Sequence, residues 1–374
     1  MSTLGDMVTL TLAGESHGPA ITAILSGLPA GAPVDETEIA KQLWRRRGIR
    51  DASTAREEPD DFEILSGVFN GYTTGTPITI VIYNEDADSS DYEFSRLRPG
   101  HADYTAFCKY RGYQDYRGGG HFSGRVSAAL VAAGTIARDA LRFKGIFIGT
   151  HIAELGGICD RPFEKGGASL DELVKLDNMN FAVLDKDAAK RMKELIRETR
   201  KEGDSLGGVL ETSICGLPEG LGGPWFEGIE GELSRGLFGI PGVKGVEFGA
   251  GFAAARMKGS EANDGFKLDT LHRVVTETNN CGGILGGISN GMPVIFRCAV
   301  KPTPSIAKKQ HTVDMSTMEE TNIEIKGRHD AAIVARAAVI VDSITAICAC
   351  DLYSKRCGSD WAENFEEEPR WSTD

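Results

Sequence analysis

Apolar and polar positions alternate over residues 8–12, where Val8, Leu10 and Leu12 are separated by Thr9 and Thr11. Period two predicts a strand with one buried face. Residues 21–28 are again strand-like, and the loop Gly14-Glu15-Ser16-His17-Gly18-Pro19 between the two runs predicts a hairpin. Residues 35–46 read as a short helix entered through Asp35, a residue type suited to an N-cap. Residues 61–69 and 77–83 form a second expected strand pair around Gly71-Tyr72-Thr73-Thr74-Gly75. The Ala-rich segment 127–143 predicts a helix. Residues 184–201 predict an amphipathic helix with Met192, Leu195 and Ile196 inward and Lys, Arg and Glu outward. Strand character returns at 208–216 and 293–300, and residues 330–353 read as a long buried helix. Residues 361–374 form an acidic tail, expected to be mobile.

One pattern repeats. Ser26-Gly27-Leu28-Pro29-Ala30-Gly31 recurs as Cys215-Gly216-Leu217-Pro218-Glu219-Gly220, and a turn into a strand follows each copy. These turns are Thr74-Gly75-Thr76-Pro77-Ile78 and Asn290-Gly291-Met292-Pro293-Val294. The echo predicts a duplicated strand–helix–strand unit related by a pseudo-twofold, with insertions in the second copy. The expected organisation is a single domain over 1–360 made of two related halves, about 1–200 and 201–360.

Composition narrows the function. The chain has 374 residues and a net charge of −13, so the basic footprint of a nucleic-acid or anionic-membrane partner is missing. Any cationic site is therefore local and meant for a small anion. Eight cysteines form no C-x-x-C pair, and reduced, mostly buried thiols are expected. No basic region leads into an apolar core at the N-terminus, so no signal peptide is read there. The apolar stretch 331–350 is interrupted by Arg336 and Asp342, which argues against a membrane span. A cytoplasmic protein is expected.

Against this acidic background, three segments concentrate His, Arg and Gly. They are Gly14 to Pro19, Arg98-Pro99-Gly100-His101-Ala102-Asp103, and Gly327-Arg328-His329-Asp330. Histidine moves protons near neutral pH, and arginine matches carboxylate and phosphate. Gathered in one cleft, such residues would bind a polyanion and transfer protons. The run Tyr116-Arg117-Gly118-Gly119-Gly120-His121-Phe122-Ser123-Gly124-Arg125 leads into the Ala-rich helix and reads as an anion cradle. It lacks the P-loop spacing, so nucleotide triphosphate binding is not expected. Trp44-Arg45-Arg46-Arg47 alone reads as a solvated helix face. In Arg328-His329-Asp330 a cation stands beside a carboxylate able to accept a proton. No His spacing matches a zinc pattern, so no catalytic metal is expected.

Together these residues resemble the chorismate synthase family, over about residues 10–353. The resemblance rests on Gly14 to Pro19, on Arg98 to Asp103 followed by Tyr104, on Gly120-x-x-Ser123-Gly124-Arg125-x-Ser127 and on Arg328-x-Asp330. It implies an α+β fold, a β-α-β sandwich with long helices packed between antiparallel sheets, and a homotetramer. It implies conversion of 5-enolpyruvylshikimate 3-phosphate to chorismate by anti 1,4-elimination of phosphate, with reduced FMN and no net oxidation. By resemblance His101 protonates the leaving phosphate or its neighbourhood, and His17 protonates reduced flavin near N1. Asp330 acts with flavin N5 to remove the C6 proton. Ser16, Arg47, Arg98, Arg125 and Arg328 would contact the substrate. Ser123, Gly124, Arg125, Gly286, Lys301, Pro302, Thr303, Pro304, Ser305 and Arg328 would contact FMN. Either Arg50 or Arg56 would supply a further substrate cation. The chain departs from common members at His121, where they carry Arg, at Pro241, where an Asn contacts flavin, and at Asp342, where Glu is usual. No Rossmann G-x-G-x-x-G follows a strand and no reductase domain is read, so a monofunctional enzyme is expected. A flavin-binding protein without turnover and a flavin-independent phosphate-ester hydrolase are the competing classes.

Overall fold

A computed structural model describes residues 2–47, 58–85, 94–164, 166–325 and 330–361. Arg50, Arg56, Arg328 and all but the first residue of the expected tail lie outside these.

The first sheet is built from β1 (Thr3–Leu4), β2 (Thr9–Gly14), β3 (Ala20–Ser26), β4 (Phe62–Ser66) and β5 (Ile78–Tyr83), in the order β1-β2-β3-β5-β4. The second is built from β6 (Phe147–Leu155), β7 (Ile158–Cys159), β8 (Gly208–Cys215), β9 (Val243–Phe248) and β10 (Val294–Val300), in the order β7-β6-β8-β10-β9. Every pairing in both sheets is antiparallel. The alternation read over residues 8–12 is the pleat itself: Val8 and Leu10 are buried while Thr9 and Thr11 are half-exposed.

The two sheets match in four of their five strands: β2-β3-β5-β4 corresponds to β6-β8-β10-β9, while the edge strand β1 precedes β2 and the edge strand β7 follows β6. The repeated segments follow β3 in one half and β8 in the other. Thr73 donates its hydroxyl to the Pro29 carbonyl at 2.6 Å and accepts the Ala32 amide at 2.9 Å. Ser289 does the same for Pro218 and Leu221, at 2.6 and 2.9 Å. Gly27 and Gly216 have φ of +87° and +84°, and a Cβ on either would lie 2.0 or 2.1 Å from a carbonyl oxygen, of Met7 or Gly145. β6, which a division near residue 200 leaves in the first half, pairs with β8 in the second sheet.

Helices pack against the sheets and against one another. They are α1 (Glu36–Arg47), α2 (Asp103–Tyr110), α3 (Ser127–Arg142), α4 (Leu170–Leu176), α5 (Lys186–Lys201), α6 (Ile229–Leu237) and α7 (Val334–Cys357). α3 packs on the first sheet, α7 on the second, and the two pack on each other. Apolar residues buried on all sides of these helices explain why neither reads as amphipathic. α7 is long and apolar enough to cross a membrane by length and composition, yet 94 % of its most apolar stretch is buried inside the fold. The sequence placed its start at residue 330; the helix begins four residues later, which leaves Asp330 on the connecting loop. In α5, Met192 and Ile196 are buried and Leu195 packs half-buried against the core. Asp35 caps α1, accepting the Thr37 amide at 2.8 Å.

The N-terminus is tied to α7. Asp351 accepts the amides of Asp6, Met7 and Val8 at 3.2, 2.6 and 2.9 Å. Lys355 sits 2.6, 3.1 and 3.0 Å from Asp6, Glu232 and Asp351, so this acidic trio holds an ammonium group. The eight cysteines are all unpaired, but only Cys298, Cys348 and Cys350 are buried, fewer than the sequence suggested.

Candidate functional site

The β2–β3 turn is held from outside the hairpin. Asn84 donates its side-chain amide to the carbonyls of Glu15 and Gly18 at 3.0 and 2.8 Å, and the Ser16 amide donates to Gly120 at 3.1 Å. This fixes Ser16, which is buried, and His17, whose Nδ1 lies 3.1 Å from the Ser16 hydroxyl.

The glycine run after Tyr116 meets this turn. Gly118, at φ +59°, is so close that a Cβ would lie 2.1 Å from His17 Cε1. Gly119, at φ +105°, would bring a Cβ 3.2 Å from His101 Cε1 and 3.5 Å from its Nε2. Consecutive glycines therefore lay bare backbone against the two imidazoles, a role beyond the anion cradle read from sequence. His121, where the family carries Arg, bonds Ser2 Oγ at 2.9 Å through Nε2 and the Gly14 carbonyl at 2.8 Å through Nδ1.

His101 rides on a turn clamped at both ends. Lys301 donates to the Gly100 carbonyl at 2.6 Å, and a Cβ on Gly100 would touch Pro304 at 3.2 Å. The hairpin of β11 (Gln310–Asp314) and β12 (Glu319–Ile323) supports the preceding residues: the Thr312 hydroxyl donates to the Leu97 carbonyl. Asp103 accepts from His101 Nδ1 at 2.9 Å and from Arg98 Nε and Nη2 at 2.8 and 2.7 Å. Burial raises the Asp103 pKa, but the bonds from Arg98 and His101 win and hold it far below the usual carboxylate range.

The arginines differ from expectation. Arg45 and Arg46 are buried, not solvated, and only Arg47 of the triple run reaches out, 45 % exposed with Nε 3.6 Å from Asp60. Asp60, absent from the sequence reading, is buried at φ +55° and accepts from Arg46 at 2.8 Å and from Arg125. Burial raises its pKa, yet Arg46 and Arg125 draw it below the normal value. Burial also pulls Arg46 down to about 10. Arg125 donates further to Asn84 Oδ1 at 2.8 Å and to the Tyr83 carbonyl at 3.0 Å. Arg98 and Arg125, expected to clamp substrate, thus direct these donors to the protein. Asp330 is partnered by Arg336 at 2.7 Å, and Arg336 in turn donates to the Arg46 carbonyl at 2.9 Å. Arg336 entered the sequence reading only as a charge interrupting an apolar run.

These groups line one cleft of about 1950 Å³. Ordinary single-ligand pockets span about 300–1,000 Å³, so a cofactor and a substrate fit together. Ser16, His17, Arg47, Arg98, His101, Ser123, Gly124, Arg125, Lys301, Thr303, Pro304, Ser305 and Asp330 are on its wall. Gly286, in the turn after Ile284–Leu285, and Pro302 are not. Pro241 and Lys244, which motif reading left out of the site, are on it. The Thr303 hydroxyl is buried without a hydrogen-bond partner. Burial and then the neighbouring Lys244 lower the Lys301 pKa. An orphan hydroxyl beside two lysines and Ser305 fits an anionic, hydroxyl-bearing cofactor such as FMN, and a Cβ at Gly124 would meet only open space.

A family model described as chorismate synthase matches residues 8–353. A chorismate synthase from Dehalococcoides mccartyi is 48 % identical over 355 residues, 94 % of this chain and 96 % of the relative. One from Thermococcus gammatolerans is 48 % identical over 354 residues, covering 94 % and 97 %. A crystal structure of chorismate synthase superposes with a TM-score of 0.77 at 31 % identity, covering 96 % of this chain and 95 % of the other. This chain belongs to the chorismate synthase family and is a carbon–oxygen lyase.

Proposed function

We propose that the cleft converts 5-enolpyruvylshikimate 3-phosphate to chorismate with reduced FMN, the last common step towards the aromatic amino acids. The observation that carries this reading is that His17, His101 and Asp330, from three distant segments, line one cleft with Arg47, Lys301 and Lys244. In the anti 1,4-elimination the electrons of the C6–H bond form a new ring double bond, the existing ring double bond shifts by one position, and the ring-to-phosphate C–O bond breaks with its electrons leaving on the phosphate. Asp330 accepts the C6 proton at its carboxylate, which Arg336 keeps oriented. His101 gives a proton to the departing phosphate, and the cations offset its charge. His17, set by Ser16 and Gly118, holds a second proton on its imidazole. Ser123, Gly124, Lys301, Thr303 and Ser305 would hold FMN, with Arg328 added by resemblance. When bound, reduced FMN supplies electron density to the allylic system as phosphate leaves. Arg98 and Arg125 shape the substrate side mainly through Asp103 and Asp60.

We further infer a cytoplasmic homotetramer that binds a small anionic substrate, with neither nucleic acid nor membrane as partner. Trp225 and Phe226 are 90 % and 95 % exposed, and Phe252, Phe266 and Val274 are also exposed, which supports burial against other copies.

Anaerobic turnover assays test the reaction. Chorismate is expected only with reduced FMN present and unconsumed; equal rates with oxidised FMN or none would sink the proposal. His17→Ala, His101→Ala and Asp330→Asn are each expected to cut turnover about 10²–10⁴-fold, with FMN binding changed far less.

A further inference from the structure

The segment Arg98 to Asp103 contains more order than a substrate-binding turn needs. Asp103 opens α2, and its carboxylate takes three hydrogen bonds from Arg98: the amide at 2.9 Å and the guanidinium at 2.8 and 2.7 Å. The remaining contact is His101 Nδ1 at 2.9 Å. A carboxylate only accepts, so this bond requires the proton on Nδ1. Nε2 then lies on the ring edge that faces Gly119.

We propose that Asp103 is the positioning residue for His101. It fixes the imidazole rotamer and the Nδ1-protonated tautomer and supports the imidazolium, while Arg98 locks the carboxylate in place. This rests on the elimination chemistry proposed above, in which His101 gives its proton from Nε2. The charged and titratable groups around His101 are Asp103 and Arg98 on its own turn, Lys301 at the Gly100 carbonyl, and His17 and Asp115 across the glycine run. Asp103 is the one that hydrogen-bonds the ring, among the described residues.

Removing the carboxylate removes the anion that touches Nδ1, so the charged ring loses its partner. A general acid must be protonated, so the alkaline limb of the kcat profile moves to lower pH. The experiment compares wild type, Asp103→Asn, His101→Asn and the double variant in anaerobic turnover with reduced FMN. Nitrogen-resolved NMR titration of His101 runs in parallel. Asp103→Asn is expected to lower kcat by up to about 10⁴-fold, as loss of the correct tautomer does in histidine–aspartate pairs, with KM within a few-fold. Placed in His101→Asn, the same substitution is expected to cost no more than twofold. In wild type, neutral His101 carries its proton on Nδ1. A wild-type ring protonated on Nε2, an unmoved pH profile, or an undiminished loss in the His101→Asn background each overturns the proposal. Absence of chorismate from wild type itself would overturn the reaction, and the NMR titration would still decide the role of Asp103.

Discussion

At the scale of single residues, burial decides what a charge does. Arg46 and Arg47 are neighbours in sequence and both line the cleft, yet Arg46 is buried against Asp60 while Arg47 is largely exposed. Sequence treats them alike, or favours Arg47 only by family resemblance. Their variants should separate cleanly. Arg46→Ala leaves the Asp60 carboxylate buried with one partner fewer, and breaking a buried pair in this way costs about 3–5 kcal/mol. Arg47→Ala should leave stability within about 0.5 kcal/mol and raise KM for the anionic substrate. Urea unfolding and steady-state kinetics on both variants check this, and a reversal of the two phenotypes would show the roles misassigned. Arg98 and Arg125 teach the same lesson: their motifs were legible, their partners Asp103 and Asp60 were not.

At the scale of elements, glycine controls how closely backbones approach. The α3–α7 crossing is set at Gly134, where a Cβ would lie 2.6 Å from Ser343 Cα and 2.3 Å from its Cβ. Ala-rich composition predicted α3 as a helix and could not show that one glycine marks the crossing, because the partner lies more than 200 positions away. Gly134→Ala improves helix propensity by about 1 kcal/mol. The clash outweighs this, since overpacking of this kind costs about 1–3 kcal/mol and separates the helices. A net loss of stability is the expected result in thermal or urea unfolding. A more stable variant would show that the helices have room to part.

At the scale of the whole molecule, two matched sheets pack against helices, and we propose that the sheets descend from one duplicated unit. Thr73 and Ser289 stitch equivalent turns by the same pair of bonds, and four strands of each sheet agree in order, only the edge strands β1 and β7 differing. The halves would then divide just before β6, near residue 144, because β6 hydrogen-bonds β8. The second sheet has a charged core of its own: His151 is buried between Asp160 at 2.9 Å and Glu211 at 3.0 Å. Burial lowers the His151 pKa, but the two carboxylates outweigh it and the net shift is upward. A raised histidine stabilises most below its unfolded value of about 6.5, and that contribution fades as pH rises through the folded pKa. Asp160 moves the other way. Burial raises it, but His151 and the amides of Leu184 and Asp185 draw it down. Its contribution is present above about pH 4 and fades as pH falls through its folded pKa. His151→Gln should therefore lose most stability between about pH 4 and 6.5 relative to wild type, and less at pH 9. Urea midpoints at pH 5, 7 and 9 measure this; a gap that widens with pH would contradict it.

The chain by itself did not show β6, β9, α2, α4 or α6, but it determined β2, β3, β4, β5, β8 and β10, helices α1, α3, α5 and α7, its internal echo and the segments bearing His17, His101 and Asp330. Each of these follows from local pattern: period two, apolar runs, caps, and glycine turns of known chemistry. Only tertiary structure decided which of those residues meet. It set Gly118 and Gly119 against the two imidazoles, joined Asp103 to His101, paired Asp330 with Arg336 and left Gly286 off the cleft wall. The reason is physical. Periodicity and turn chemistry act over a few residues, whereas hydrogen bonds and ion pairs between distant segments exist only once folding has excluded water from between them.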